Sequence, residues 1–324
     1  MCLFDETARR LGAIPGVTVH RGAPLSRYTR FGVGGPAAIV AESPSEEAFL
    51  AALRVIRELG LRHVVIGGGT NLIAADTGYE GAVLRFTGSR LAAGGPAVSA
   101  EAGAELQALV DFTIGRGLGG LETLTGIPGS VGAAVYGNAG AYGHSVSEVV
   151  SQVRFFDGTT ARSIPNSACE FQYRESIFKR RKTWIIFSAE LALNSADPKA
   201  LRRTADEIRQ VRDRRYPPEM RCAGSIFKNL TLAGLSPEVA RQVPGEVVRE
   251  GKVPAGFFLE QVGAKGMSRG DMKVAAYHGN LIYNDGQGSA ADLCALIAEL
   301  KRRVRDRFGL ALEEEVQYIG FPQP

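Results

Sequence analysis

Apolar positions along this chain repeat at two periods, one helical and one alternating. Residues 1–24 read as a short helix and a lead-in. A loop follows, Tyr28-Thr29-Arg30-Phe31-Gly32-Val33-Gly34-Gly35-Pro36, and then a strand over 37–41. Phe49, Leu53, Ile56 and Leu59 recur at helical spacing. Ahead of them Ser43-Pro44-Ser45-Glu46 reads as a capping box with proline at the first helical position, and Gly60 as the stop. A strand over 64–66, the loop Gly67-Gly68-Gly69-Thr70-Asn71-Leu72 and a strand over 82–86 complete a β-α-β unit. Its loop lies at a strand's carboxyl end.

A second unit opens with a strand over 97–102 and a helix over 105–115, whose Leu106, Leu109, Val110 and Ile114 share one face. Residues 123–143, TLTGIPGSVGAAVYGNAGAYG, come next. A hairpin then turns at Asp157-Gly158, followed by an apolar strand over 183–193. Asp197-Pro198 caps a basic helix that runs to about Arg215 and ends at Tyr216-Pro217-Pro218. Beyond it lie a helix over 254–262 stopped by Gly263, a strand over 280–283 and a helix capped by Ser289. That helix carries Leu293, Leu296, Ile297, Leu300, Val304 and Phe308 in one stripe and ends at Gly309. The stripe is core. A last strand covers 312–319, where alternation sets Leu312, Glu314 and Val316 against Glu313, Glu315 and Gln317.

The glycine-rich stretches change the picture from fold to function. Residues 123–143 hold six glycines and no charged residue. Glycine costs roughly 0.5–1 kcal/mol inside a regular element, so such density suggests backbone lying against something flat or anionic. A buried structural loop explains one such stretch equally well. Two in one chain suggest an elongated ligand containing a diphosphate. The first loop is no Walker loop and lacks the dinucleotide fingerprint.

Composition narrows the classes. The 324 residues, 45% apolar and 22% charged, suit a globular protein of two or three domains. A net charge of +4 favours anionic small molecules without pointing to nucleic acid. Cys2, Cys169, Cys222 and Cys294 form no CxxC pair and the histidines are dispersed, so no metal is expected. The acidic, weakly apolar N-terminus does not read as a signal peptide, and a cytoplasmic protein is expected.

Further stretches carry candidate chemistry. Arg174, in Tyr173-Arg174-Glu175-Ser176, is either a surface residue or a guanidinium that grips a carboxylate. Ser225, in Ala223-Gly224-Ser225-Ile226-Phe227-Lys228-Asn229, lacks the surroundings of a hydrolase nucleophile; it gives a proton or simply bonds backbone. The arginines of the basic helix are mostly a solvated face, with the end near Arg212 the more functional part.

Taken in order, YTRFGVGGPA, VVIGGGTNLI, LTGIPGSVGAAVYGNAGAYG, CEFQYRESIFK, AGSIFKN, LEQVGAKG, HGNLIYN and LEEEVQYIG resemble the UDP-N-acetylenolpyruvoylglucosamine reductases over nearly the whole chain. The resemblance implies an α+β fold: an FAD-binding fold of the vanillyl-alcohol-oxidase (PCMH) type in two subdomains, with a C-terminal α+β substrate domain. The corresponding boundaries are 1–200 (subdomains about 1–88 and 89–200) and 201–324. It implies FAD as cofactor, NADPH as reductant, a UDP-sugar enolpyruvate as substrate, and Arg174, Ser225 and Glu315 as catalytic residues. Flavin would be held by Gly67, Gly68, Gly69, Thr70, Asn71, Leu72, Gly126, Ile127, Pro128, Gly129, Ser130, Gly132, Asn138, Ala139 and Gly140. Substrate would meet Tyr173, Arg212, Lys228 and Asn229.

The short span between Arg174 and Ser225 matches the family's shorter form, without the tyrosine loop that closes over substrate. Residues 231–252 make a longer link than the family's usual one, and HANF reads His278-Gly279-Asn280-Leu281. A monomer without membrane insertion is expected. The rival readings are another FAD-dependent oxidoreductase on the same fold, such as an alcohol or hydroxy-acid oxidase, and a nucleotide-binding module without turnover.

Overall fold

The structure is a computed structural model and describes residues 2–322. It divides into two compact units. The first comprises Met1–Ala23, Ala37–Gly69 and Glu80–Pro217; the second comprises Pro24–Pro36, Thr70–Tyr79 and Pro218–Pro324. The units do not follow the linear division at residue 200. Helix Pro198–Arg215 belongs with the first unit, and two early segments are built into the second.

The first unit is built on two larger sheets, with two short two-stranded pairs besides. One runs Thr18–Pro24, Pro36–Ser43, Tyr79–Phe86, His63–Ile66, with the last two strands parallel. The expected β-α-β order is therefore opened: strands Pro36–Ser43 and His63–Ile66 flank Tyr79–Phe86 instead of pairing directly. Helix Glu46–Glu58 buries Phe49, Leu53 and Ile56 against Ile39, Ala41, Ala82 and Leu84. Its cap differs from the expected one. Ser45 is the N-cap, accepting from the Ala48 N–H at 3.2 Å, so Pro44 stands outside the helix. Ser43 instead bonds the Ser45 backbone and fixes the approach.

The second sheet is antiparallel, in the order Ala161–Pro165, Val150–Phe156, Ile185–Ala192, Ala97–Glu101, Leu91–Gly94. Strand Ile185–Ala192 alternates buried and half-buried positions, as a strand with one covered face must. A short helix, Val131–Tyr136, packs on that strand, and Leu106, Leu109, Val110 and Ile114 of helix Leu106–Ile114 join the same core. Phe49, Phe86 and Phe187 meet edge to face, with centroids 5.1 to 6.2 Å apart, and tie the first core to the second sheet's strand.

The second unit has a sheet Arg221–Ser225, Leu281–Asn284, Met272–Val274, Ser268–Arg269, and a parallel pair Gln317–Ile319 with Leu72–Ala74. Helix Ala290–Phe308 buries its apolar stripe as the sequence predicts and ends at Gly309, whose φ of 69° suits glycine. Its first turn is capped from far away: the Asp76 carboxylate accepts from Ala290 N–H at 2.8 Å and Ala291 N–H at 2.9 Å. The expected strand over 312–319 is shorter, Gln317–Ile319, because the segment before it pairs only through an isolated bridge from Glu314 to Phe227. Among the described residues no helix is long and apolar enough to cross a membrane.

Candidate active site

In the first unit the glycine stretches meet. A Cβ on Gly67 would stand 2.9 Å from the Ser130 hydroxyl oxygen, and one on Gly68 would stand 3.4 Å from the Gly129 Cα. At Gly67 a side chain would be tight, whereas at Gly68 it would meet ordinary contact. Gly67 and Gly68 remain exposed, as does Pro128. The stretch is less irregular than its glycines suggest. Ser130 accepts from the Ala133 N–H and caps a short helix, Val131–Tyr136, and Gly132 fits against Ala102, where a Cβ would come within 2.8 Å. Ile127 closes a turn onto the Leu124 carbonyl, and Ala139 donates to the Ala134 carbonyl. Arg212, at the end of the basic helix, packs on Gly126, whose added Cβ would lie 3.1 Å from the arginine Cδ and Nε.

The Arg174 turn is fastened to this stretch. Gln172 and Glu175 exchange backbone hydrogen bonds, holding Tyr173 and Arg174 at the tip. Asn138 Nδ2 donates to the Gln172 carbonyl at 2.9 Å, Arg174 Nη2 to the Gly140 carbonyl at 3.0 Å and Ser176 Oγ to the Tyr136 carbonyl at 2.7 Å. Lys179 Nζ donates to the Arg174 carbonyl at 2.8 Å and to Glu175 at 3.0 Å. Arg174 has φ of 57°, a left-handed conformation that a bulky residue adopts at a cost and that clusters at functional sites. Its guanidinium lies 5.2 Å from the centre of the Tyr173 ring. Burial raises the Tyr136 phenol above its usual range, and Glu175 adds to this.

In the second unit Ser225 ends the strand Arg221–Ser225. The ladder to Leu281–Asn284 slips between Cys222 and Ser225, leaving one extra residue on the serine strand. Gly224, at φ 75°, makes the bulge possible. Bulges of this kind turn the following side chain. Beyond Ser225 the backbone lies beside the acidic segment: Glu315 N–H donates to the Ile226 carbonyl at 2.8 Å and Lys228 N–H to the Glu313 carbonyl at 2.9 Å. Lys228 is buried and its Nζ meets Glu313 Oε1 at 2.5 Å. Asn229 Oδ1 accepts from the Ala255 N–H at 3.4 Å. Glu314 turns to the other side, to Lys301 at 2.6 Å and to the Tyr318 hydroxyl. Glu313 and Glu314 thus turn to opposite sides, as the alternation predicts, without a strand.

Thr70, Asn71 and Leu72 also fall in this unit, and Asn71 Nδ2 donates to the Glu315 carbonyl at 2.9 Å. The structure therefore brings Ser225, Lys228, Asn229, Glu315 and Asn71 into one neighbourhood. It brings Arg174, Tyr173, Asn138, Gly140, Gly126 and Arg212 together in the other unit. Sequence reasoning missed Gly224, Asn280, Lys179 and Asp76. Gly224 had a local signal, a glycine directly before a candidate serine, whereas the partners of Asp76 and Asn280 are remote in sequence.

The residues of the first unit suit an FAD. A Cβ on Gly67 would crowd the second glycine stretch at Ser130, and the Thr123 and Thr125 hydroxyls at the start of that stretch are buried with no partner among the described residues. Among the described residues no cluster of His, Cys, Asp or Glu could hold a metal ion.

Comparison with known proteins agrees. A family profile described as "FAD binding domain" matches residues 37–161, and one described as "UDP-N-acetylenolpyruvoylglucosamine reductase, C-terminal domain" matches 216–319. The chain is 60% identical to UDP-N-acetylenolpyruvoylglucosamine reductase of Solibacter usitatus over 96% of its own length and all of the relative's. It is 36% identical to that of Rubrobacter xylanophilus over 99% of its length, again covering the whole relative. The crystal structure of UDP-N-acetylenolpyruvylglucosamine reductase from Thermus caldophilus aligns with a TM-score of 0.74 at 28% identity, covering 94% of this chain and 99% of that one. By these matches and by the sites its two units carry, the chain belongs to the UDP-N-acetylenolpyruvoylglucosamine reductase family.

Proposed function

We propose that this protein reduces UDP-N-acetylglucosamine enolpyruvate to UDP-N-acetylmuramate, a step of peptidoglycan precursor synthesis, using NADPH and a resident FAD. The observation that carries the reading is 60% identity to a reductase of that name over 96% of the chain, through the FAD-binding and C-terminal parts alike. An oxidase on the same flavin fold would share only the FAD-binding part. The cytoplasm is the compartment in which NADPH is available to it, and a monomer is the working assembly.

The reaction adds a hydride to the terminal carbon of the substrate's double bond and a proton to the carbon bearing the carboxylate. When bound, the flavin supplies the reducing equivalents. The chain's own groups handle charge and proton. As the double bond is reduced, negative charge grows on the carboxylate. The Arg174 fork stabilises that charge, since a two-pronged guanidinium matches a carboxylate. Ser225 gives the proton to the carbon bearing the carboxylate, and Glu315 shares in holding the charge as a protonated donor or through a water, since an ionised carboxylate would repel it. Lys228, Asn229, Tyr173 and Arg212 bind the nucleotide sugar. Support for these roles comes from the left-handed Arg174 turn and from the bulge at Gly224 directly before Ser225.

The test is an anaerobic visible spectrum of the purified protein, recorded after one equivalent of NADPH and again after the enolpyruvate substrate. Flavin bands that bleach and then return bear the reading out. Bands that stay bleached after substrate overturn the substrate, and a protein that takes up no FAD overturns the whole reading.

A further inference from the structure

We propose that Asn280 is a positioning residue that fixes the Ser225–Lys228 segment for proton delivery. The inference rests on the reading of Ser225 as proton donor. The ladder between the serine strand and Leu281–Asn284 ends at the Ser225–Leu281 pair. One residue further, the pairing is taken over by Asn280. Ile226 N–H donates to the Asn280 carbonyl at 3.1 Å. Phe227 N–H donates to Asn280 Oδ1 at 2.9 Å, and Asn280 Nδ2 donates back to the Phe227 carbonyl at 2.9 Å.

The side-chain amide thus offers the donor and acceptor that a neighbouring strand would offer, where no strand continues. On the opposite edge Glu315 and Glu313 hold Ile226 and Lys228. The segment carrying the candidate acid is clamped from both sides. Asn280 is 3% exposed and Phe227 fully buried, so water cannot replace the lost bonds. Asn280 is itself set by His278, whose Nδ1 accepts from the Asn280 N–H at 3.0 Å. The bonds of Asn280 run to the backbone of Ile226 and Phe227, and any influence on Ser225 passes through them.

The experiment follows both half-reactions of the FAD-loaded enzyme by anaerobic stopped flow. In Asn280→Ala, flavin reduction by NADPH is expected to stay within about twofold of the parent, while reoxidation by the enolpyruvate substrate slows about 100-fold, the scale of a small misplacement of a reacting group. In Asn280→Asp, reoxidation is expected to recover as pH falls. Only the protonated acid both donates to the Phe227 carbonyl and accepts from its N–H.

Reoxidation at the parent rate in Asn280→Ala overturns the proposal. So does equal slowing of both half-reactions with loss of FAD, or a pH-independent Asn280→Asp. If Asn280→Ala does not fold, the pH response of Asn280→Asp decides alone. Ser225→Ala separates this from the parent reading. Unimpaired reoxidation there removes Ser225, and the Asn280 proposal with it. Impaired reoxidation in Ser225→Ala with a normal Asn280→Ala removes only Asn280.

Discussion

Asn71 holds Glu315: its side-chain amide donates to the Glu315 carbonyl at 2.9 Å, while its own carbonyl accepts from the Gln317 N–H at 2.9 Å. The tail of the first glycine loop is thereby stitched to the acidic segment that also pairs with the serine strand. Replacing Asn71 with Ala removes a hydrogen bond worth about 1 kcal/mol and leaves the Glu315 carbonyl without it. Amide exchange at Glu315 and Gln317 is expected to quicken about fivefold, while exchange in helix Ala290–Phe308 is unchanged. Equal protection in both proteins would show that the stitch is not what orders this segment.

Arg174→Lys keeps the charge but loses the planar fork and the bond to the Gly140 carbonyl. Reoxidation by substrate is expected to fall by about 100-fold, the usual loss when one group that stabilises developing charge is removed. Steady-state turnover close to the parent value would take Arg174 out of the mechanism.

Gly224→Ala tests the bulge. A Cβ there meets open space, so only the φ of 75° opposes it. The strain is about 1–2 kcal/mol, small enough for the fold to survive. The expected outcome is a modest loss of thermal stability with a selective slowing of reoxidation. A loss of stability with turnover intact would show that the bulge does not orient Ser225.

Gly67→Ala should weaken flavin binding. Its Cβ would stand 2.9 Å from Ser130 Oγ and 3.3 Å from the Ala133 Cβ, so Ser130 must turn from its cap or the loops must shift by a few tenths of an ångström. Titration of the apoprotein with FAD is expected to show a Kd at least about tenfold higher, equivalent to about 1.4 kcal/mol. Gly12→Ala serves as control, since a Cβ there meets nothing within 4 Å. An unchanged Kd in Gly67→Ala would place the flavin elsewhere.

The thiols give a pH prediction. Burial pushes Cys169 up to about 11; burial, with Glu314 and Asp76 adding, does the same for Cys294. A raised thiol pKa means that folding favours the neutral form. That contribution is complete below the unfolded value near 8.5 and is lost as pH rises towards 11. Midpoints of urea unfolding are therefore expected to fall between pH 9 and 11, and less steeply in a Cys169→Ala, Cys294→Ala double variant. Identical slopes would remove the thiols as the cause.

Most of the local architecture is legible in the sequence. Helix Ala290–Phe308 announces itself by an apolar stripe between Ser289 and Gly309, and helix Pro198–Arg215 by Asp197-Pro198. Such signals lie within a few residues of what they cause. Three features escape for the opposite reason. Strand Leu72–Ala74 is too short to show a period, and its partner is at Gln317–Ile319. Ser43-Pro44-Ser45-Glu46 offers two serines able to cap, and the choice of Ser45 follows from Ser43 bonding the Ser45 backbone. Asn280 looks like an ordinary turn residue until its partner, 53 residues away, is known. At the site, the glycine stretches and the residue types were readable. The left-handed turn of Arg174 and the bulge before Ser225 were not, because both depend on partners that only folding supplies.

The bond between Asn71 and Glu315 spans 244 residues of sequence. A chain growing from its N-terminus makes Leu72–Ala74 long before its parallel partner, Gln317–Ile319. Until then the loop tail at Thr70–Leu72 has no strand beside it and Asp76 has no helix to cap. Translation that stops short yields a polypeptide with the first unit's sequence intact and the second unit open. The distant pairing thus delays the ordering of the loop tail, since Asn71 is fixed only once Glu315 has been made.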